Sequence, residues 1–151
     1  MLAPAERRAA SDRVGEVIDA WHAAAARSDA EIYFGLMTDD AVFLGTDATE
    51  RWDMAAFRAY AEPRFAEHNG WSMRSTRRTI EVEPHGQMAW FEEDLESDSL
   101  GPARGSGVLV RAPAGWRIAQ YNLAITVPNE HFEDVRALLA GEAPPTEGPA
   151  E

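Results

Sequence analysis

The sequence predicts an α+β domain in which helices come first and a curved antiparallel sheet follows, rolled into a cone that the N-terminal helices close. Apolar residues recur at helical spacing in the first part of the chain, with Val14, Ile18, Trp21 and Ala25 as the clearest stripe. From Trp71 onward the apolar period changes to two, which is typical of strands. Because helical and strand-like segments are segregated along the chain, we expect the helices to pack on one face of the sheet.

Three helices are predicted before the sheet and one after it. The first covers about residues 12–27, and the second begins at 28–31, where the pattern S-x-x-E forms a capping box. The segment AVFLGT at 41–46 predicts a strand. Asp53 is expected to cap the third helix, and Asn129 the last one.

Four strand-like segments form the predicted meander, and Pro- and Gly-containing turns separate them. They are 71–83, 87–96, 104–112 and 116–127. In the first segment, Trp71 and Met73 share one parity, whereas Ile80 and Val82 share the other. Such a switch predicts a β-bulge near residues 75–77, which would bend a long strand.

The length of 151 residues predicts one domain, at about 11–140. Residues 1–10 are interpreted as a flexible N-terminus. The final segment, 141–151, is rich in Pro, Gly and Glu and has no large apolar residue, so we expect it to be a disordered tail.

Composition excludes several classes of function. The net charge is −12, which predicts that the chain binds neither nucleic acid nor an anionic membrane surface, because both carry negative charge. The chain has no cysteine, which rules out disulfides and thiol nucleophiles and favours a cytoplasmic location. No pair of histidines has the spacing of a metal site, and we expect neither a metal nor a cofactor.

Four stretches of the chain are similar to the SnoaL-like branch of the nuclear-transport-factor-2-like superfamily. They are FLGTDATERW (43–52), AWFEEDL (89–95), RGSGVL (104–109) and GWRIAQYNLAITVPNE (115–130). The resemblance covers about residues 11–139 and implies a cystatin-like roll, a ligand-sized pocket inside the cone and a homodimer formed through the sheet. It does not fix a reaction, because the superfamily includes isomerases, dehydratases, cyclases, epoxide hydrolases and modules that only bind.

Tight hairpins between the strands would bring a polar cluster together on one face of the sheet. That face is apolar at one end, and its polar end carries Glu92, Asp94, Arg104, Ser106, Gln120 and Asn122. We interpret this face as the lining of the cone, with the pocket at the polar end. The alternative reverses the faces, so that the pocket would have to be rebuilt around Glu93 and Tyr121.

The candidate site follows from the preferred face. The candidate catalytic carboxylates are Asp47, Glu92 and Asp94, and the candidate ligand-binding residues are Trp90, Arg104, Ser106, Gln120 and Asn122. Arg104 is expected to pair with one of the two strand acids, because an unpaired buried carboxylate is costly. Asp47 has an alternative interpretation as a turn residue that bonds its own backbone.

Two hypotheses for function remain open from the sequence. The first is a protein that binds a small polar or partly apolar ligand and performs acid–base isomerase, dehydratase or hydrolase chemistry. The second is a non-catalytic binding or dimerisation module. The cluster of carboxylates supports the first hypothesis, whereas the absence of a histidine from the inner strand positions supports the second. The dimer is expected to use the opposite sheet face, with Phe91, Leu109, Ala119, Leu123 and two glycines.

Overall fold

The structure, a computed structural model, describes residues 1–142. Its elements are, in chain order, α1 (Pro4–Ala26), α2 (Ala30–Gly35), β1 (Met37–Leu44), β2 (Arg51–Trp52), α3 (Met54–Ala66), β3 (Arg74–Val82), β4 (Met88–Ser97), β5 (Gly101–Ala112), β6 (Gly115–Ile125), a 3-10 turn (Asn129–His131) and α4 (Phe132–Leu139). Most of the predicted disordered tail, 141–151, lies outside the described residues.

The six strands form one curved, unclosed sheet in the order β2-β1-β6-β5-β4-β3. The α+β class and the N-terminal helices are as predicted. Strands β3 to β6 form the predicted antiparallel meander. The sheet is not wholly antiparallel, however, because β1 runs parallel to β6, with Phe43 opposite Tyr121. The intervening helices and strands provide the long crossover that parallel neighbours need.

Helix α1 begins at Pro4, well before the predicted start at residue 12. Proline is favoured in the first turn, and the Glu6 carboxylate accepts a hydrogen bond from the Ala3 backbone N–H at 2.8 Å. The Arg7 guanidinium donates to the Val82 carbonyl oxygen at 2.7 Å. Residues 4–10 are therefore part of the helix and tied to the sheet, which corrects the expectation of a flexible segment at 1–10.

Two bulges set which side chains face the helices. The register of β3 against β4 shifts between Ser75 and Arg77, which confirms the predicted bulge. The register of β5 against β6 shifts between Val108 and Leu109, and Ala119 of β6 is the extra residue at that point. Since a bulge adds one residue to one strand, the parity of β6 changes there, and both halves of β6 bury apolar side chains on the same face.

The core lies between α1–α3 and one face of the sheet. Its sheet residues include Phe91, Leu95, Leu109, Ile118 and Tyr121, each at most 2% exposed. This is the reverse of the preferred sequence interpretation, because the odd-numbered row of β4 faces the helices. The predicted dimer face, with Phe91, Leu109 and Leu123, is consequently the inner face of the domain, so it cannot be the surface of a dimer.

Glycine is required where the second bulge brings two strands together. A Cβ atom on Gly107 would overlap the backbone carbonyl oxygen of Gln120. Glycines inside a strand often mark such a close backbone approach, and Gly107 does so here. Among the described residues, no helix is long and apolar enough to cross a membrane.

Candidate functional site

A cavity of about 520 Å³ lies near the end of the sheet where β4 turns into β5. We call it the aromatic cavity. Its walls come from α3, from the ends of β1 and β2, from the segment 69–73 and from the β4–β5 turn. It is lined by Phe43, Gly45, Thr46, Glu50, Trp52, Phe57, Tyr60, Arg64, Asn69, Gly70, Trp71, Ser72, Met73, Ser97, Asp98, Ser99, Leu100 and Leu123.

Four rings of this wall lie close to parallel. The Trp52 and Tyr60 ring centroids are 5.1 Å apart with planes at 26°. Tyr60 and Trp71 are 6.4 Å apart at 29°, and Phe57 and Trp71 are 6.0 Å apart at 26°. Aromatic faces with similar orientation favour a flat apolar guest that stacks on them.

Local sequence features place these rings. The Asp53 carboxylate caps α3 by accepting from the Ala56 N–H at 2.8 Å, as predicted. Phe57 and Tyr60 then fall three residues apart, on one side of the helix. Gly70 packs so closely on the end of α1 that a Cβ atom would overlap the Ala25 carbonyl oxygen, and its N–H donates to the Ser28 hydroxyl at 3.0 Å. That contact fixes the segment that carries Trp71.

Two carboxylates, Glu50 and Asp98, line the cavity, and Glu50 is held in place by hydrogen bonds from residues close to it in the chain. Its Oε1 accepts from the Asp47 N–H at 3.0 Å, and its Oε2 accepts from the Trp52 indole N–H at 3.3 Å. Arg64 places its guanidinium carbon 4.6 Å from the centre of the Tyr60 ring. An acceptor and a cation therefore flank the aromatic rings.

Asp47 forms a turn next to the cavity and is not among its lining residues. Its Oδ1 accepts from the Thr49 hydroxyl at 2.5 Å and from the Thr49 N–H at 2.8 Å. These hydrogen bonds, first from the hydroxyl and then from the backbone, lower the pKa of the Asp47 carboxyl from its ordinary value. The geometry matches the turn interpretation, and it is Glu50 that reaches the cavity.

A buried ion cluster lies between α1 and the inner face of β3 and β4. The Glu93 carboxylate is fully buried and contacts His22 Nε2 at 2.8 Å and Arg78 Nη2 at 3.2 Å. Arg78 also pairs with the exposed Asp19 at 2.9 Å. Glu93 precedes the cavity-lining Ser97 by four residues on β4, about 13 Å along the strand. Its full burial makes this cluster part of the core, not of the cavity surface.

Two buried tyrosine hydroxyls adjoin the core, and neither has a hydrogen-bond partner among the described residues. Burial, and then the negative charge of Glu93, raise the pKa of Tyr121 far above its ordinary value. Burial, and then the proximity of Tyr121, raise the pKa of Tyr33 in the same way. A Cβ atom on Gly105 would overlap the Tyr121 hydroxyl, so glycine is needed there.

Sequence reasoning missed this cluster, although signals for it were present. Glu93 is the one charged residue in the row Ala89, Phe91, Glu93 and Leu95. His22 follows Ile18 by four residues, on the buried side of α1. The two residues are 71 positions apart, so their contact could not be predicted without knowing which face of the sheet meets α1.

The candidate site residues that the sequence predicted on β4, β5 and β6 lie on the outer face of the sheet. Trp90 is 43% exposed, and Glu92, Arg104, Gln120 and Asn122 are exposed, while Asp94 and Ser106 are half-buried. Their placement inside the cone is therefore wrong, because the opposite row of β4 faces the helices. Asp94 pairs with Arg77 on β3 at 3.1 Å and not with Arg104, for which the described residues provide no ion pair. Among the described residues, no group of three or more metal-ligating side chains converges.

Comparison with known proteins identifies the fold. A family model described as a SnoaL-like domain matches residues 14–128. A nuclear-transport-factor-2-like protein of unknown function from Pseudomonas putida is similar in structure, with a TM-score of 0.67, 17% identity, and coverage of 82% of this chain and 91% of that one. Among proteins with curated functions, none matches this chain.

Two further structures are similar at low identity. A proposed dehydratase of the nuclear-transport-factor-2-like family from Streptomyces avermitilis has a TM-score of 0.66 and 16% identity, over 78% of this chain and 96% of that one. A cystatin-like fold protein from Burkholderia xenovorans has a TM-score of 0.64 and 20% identity, over 79% and 94% of the two chains. At such identities the likeness supports the fold and not a reaction.

Proposed function

Because the chain belongs to the SnoaL-like family, and aromatic rings line the cavity at the β4–β5 end of its sheet, we propose that it binds a small, planar, partly apolar molecule in that cavity. The near-parallel planes of Trp52, Tyr60 and Trp71 carry this proposal. A volume of about 520 Å³ lies within the usual range for small-molecule sites.

Polar groups at the cavity define the rest of the ligand. The Glu50 carboxylate accepts hydrogen bonds, so it favours a ligand with a hydroxyl or N–H group at the edge of its ring. Arg64 and Asn69 also line the cavity and can donate to an oxygen elsewhere on the ligand. The ligand class is therefore an aromatic or conjugated ring that carries at least one polar substituent.

Calorimetric titration with 2-naphthol tests the binding proposal. Trp52→Leu should weaken binding by roughly tenfold, since a stacking surface and apolar contact area are lost together. The matched control is Trp90→Leu, which removes a tryptophan from the outer face of the sheet. Equal affinity in the wild type and the Trp52 variant, or no binding at millimolar concentration, would contradict the proposal.

A second candidate function is acid–base chemistry with Glu50 as the base. The observation in its favour is that two donors hold this carboxylate at the cavity wall. General-base catalysis requires such a positioned group within hydrogen-bond reach of the substrate proton. In this role Glu50 would remove a proton from carbon next to a carbonyl group, the step shared by many isomerisations and eliminations.

Deuterium exchange into 2-tetralone, followed by proton NMR in D₂O, tests this second candidate without knowledge of the natural substrate. The wild type should accelerate exchange at the carbon between the ring and the carbonyl group. Glu50→Gln should remove the acceleration while retaining affinity for 2-naphthol. If 2-tetralone exchanges at the buffer rate in the presence of either protein, Glu50 is not a base toward such ketones. Non-catalytic binding would then be the proposed function.

The outer sheet face supports a homodimer, on a different surface from the one predicted. Met88 and Trp90 are 42% and 43% exposed, and Val108 and Val110 lie beside them on β5. Covering this patch by a second copy would remove apolar area from water. The cytoplasmic location stays a prediction from the sequence.

A further inference from the structure

A second concavity, of about 370 Å³, lies at the other end of β5, around the β5–β6 turn. We call it the arginine groove. Its walls come from one side of α1, from Leu36 after α2 and from the turn itself. It is lined by Arg13, Glu16, Val17, Ala20, Leu36, Arg111, Ala112, Pro113, Ala114, Gly115, Trp116 and Arg117.

The charge of this groove is opposite to that of the chain. It has three arginines and one glutamate, a local charge of +2, in a protein of net charge −12. Within residues 1–142, none of Arg13, Arg111 and Arg117 forms an ion pair, whereas Arg77 and Arg78 both pair with acids. Three guanidinium groups therefore retain charge that the protein itself does not neutralise.

The three arginines line the groove from different elements, Arg13 from α1 and Arg111 and Arg117 from the two strands that flank the β5–β6 turn. Arg117 Nη1 donates to the Trp116 carbonyl oxygen at 2.9 Å, which ties its guanidinium to the start of β6. The Arg111 N–H donates to the Gln87 carbonyl oxygen at 2.9 Å, which fixes the end of β5. Arg13 faces the turn from α1, on the same side as Val17, one helical turn later. Within the described part of the chain, these three guanidinium groups make no other side-chain hydrogen bond, so their remaining N–H groups can donate to a ligand.

The floor of the groove is apolar. Val17 and Leu36 are half-buried, and Trp116 is 4% exposed. The Ile118 N–H donates to the Leu36 carbonyl oxygen at 2.8 Å, so this floor is continuous with the sheet. A simple inorganic anion would use only the guanidinium groups, whereas a ligand with an apolar body would also cover the floor.

From the unpaired cations and the apolar floor together, we propose that the arginine groove is a second binding site, for a small organic anion. A carboxylate or phosphate group would lie among Arg13, Arg111 and Arg117, because guanidinium groups bind planar and tetrahedral oxyanions through paired hydrogen bonds. The apolar part of the ligand would lie toward Val17 and Leu36. This site is separate from the aromatic cavity and does not depend on the function proposed for it.

Titration with phenyl phosphate, followed by backbone amide NMR, tests the proposal. The amides of Gly115 and Arg117 should shift at millimolar ligand, and binding should weaken as salt rises from 20 to 300 mM, since salt screens the charges. Benzyl alcohol, which has the ring without the charge, should not shift these amides. Inorganic phosphate should bind at least about tenfold more weakly, because it leaves the floor uncovered.

Matched variants test whether the arginines of the groove bind the ligand, or whether any surface arginine does. Arg13→Gln and Arg111→Gln should each weaken phenyl phosphate binding about tenfold or more. Arg8→Gln, on the same helix, and Arg104→Gln, on the same strand, remove arginines that lie outside the groove and form no ion pair with any residue of 1–142, so they should leave the affinity unchanged. The proposal is overturned if all four variants weaken binding equally, if the shifts occur elsewhere, or if inorganic phosphate binds as tightly as phenyl phosphate.

Discussion

Replacing Glu93 by glutamine tests the buried ion cluster. The substitution keeps the size of the side chain and removes its charge. In the native structure the carboxylate is fully buried and contacts His22 at 2.8 Å and Arg78 at 3.2 Å. In the variant the Arg78 guanidinium, only 13% exposed, loses its buried charged partner and keeps the exposed Asp19 and the Gly15 carbonyl oxygen.

The expected loss of unfolding free energy follows from this burial. Removing one partner of a buried ion pair costs about 3–5 kcal/mol. Because Arg78 retains Asp19 at 2.9 Å, we expect the lower end of that range, about 3 kcal/mol. For a chain of this size, each kcal/mol lowers the melting temperature by roughly 2–4 °C, so Glu93→Gln should melt about 6–12 °C below the wild type.

The control for this experiment is the next residue in the chain. Asp94 lies on the opposite face of β4, where it pairs with the exposed Arg77 at 3.1 Å. Such a surface pair contributes about 0–1 kcal/mol, so Asp94→Asn should unfold in urea almost like the wild type. If the two variants differ by less than about 1 kcal/mol in urea unfolding followed by circular dichroism, the assignment of the buried face is refuted.

Three further predictions concern the core and the outer face. Gly105→Ala should lose about 2 kcal/mol or more of unfolding free energy in urea, because its methyl group would overlap the buried Tyr121 hydroxyl. The control is Gly35→Ala, which should be close to neutral because nothing lies within 4 Å of the added methyl group. Equal stability of the two variants would contradict the packing. Stability should fall as pH rises above about 10, because the raised pKa values keep the buried tyrosines protonated while the unfolded chain ionises. Tyr33→Phe should make this fall less steep, and a loss identical to that of the wild type between pH 9 and 11 would argue against it. Trp90→Asp should convert the expected homodimer to a monomer in sedimentation experiments, and a wild-type protein that is already monomeric at micromolar concentration would remove the case for a dimer.

The sequence predicted the class, the order of elements and the first bulge, because these depend on local period and turn chemistry. The parity switch between Met73 and Ile80 was enough to locate the bulge at 75–77. The family resemblance was confirmed by the SnoaL-like domain match over residues 14–128. The parallel pairing of β1 with β6 was missed, since it joins residues almost 80 positions apart and no local pattern signals it.

The prediction of which sheet face packs against the helices was wrong, and the cause lies in the residue pattern of two strands. Both rows of β4 mix apolar and charged residues, with Trp90 in one and Glu93 in the other, so alternation alone did not distinguish them. The second bulge, opposite Ala119, then changed the parity of β6, so Trp116 and Ile118 suggested one face and Tyr121 the other. The reversed alternative placed Glu93 and Tyr121 inside, where the structure has them.

The candidate site was only partly accessible from sequence. The stretch 43–52 was singled out through the resemblance, and it supplies Phe43, Glu50 and Trp52 to the cavity wall. Within that stretch, Asp47 was the predicted catalytic candidate, with a turn as the alternative interpretation. The structure has the turn, and Glu50 lines the cavity instead. The contribution of Tyr60 and Trp71 depends on the packing of α3 and of the segment after it, which no short-range pattern reports.

Amide chemical-shift mapping with 2-naphthol tests most directly which face of the sheet binds a ligand. The structure leads us to expect the largest shifts at Gly70, Trp71 and Ser97, around the aromatic cavity. The amides of Trp90 and Gln120, on the outer face, should stay unchanged. Shifts confined to those outer residues would contradict the account, because the ligand would then occupy the surface that the sequence first suggested and the aromatic cavity would be empty.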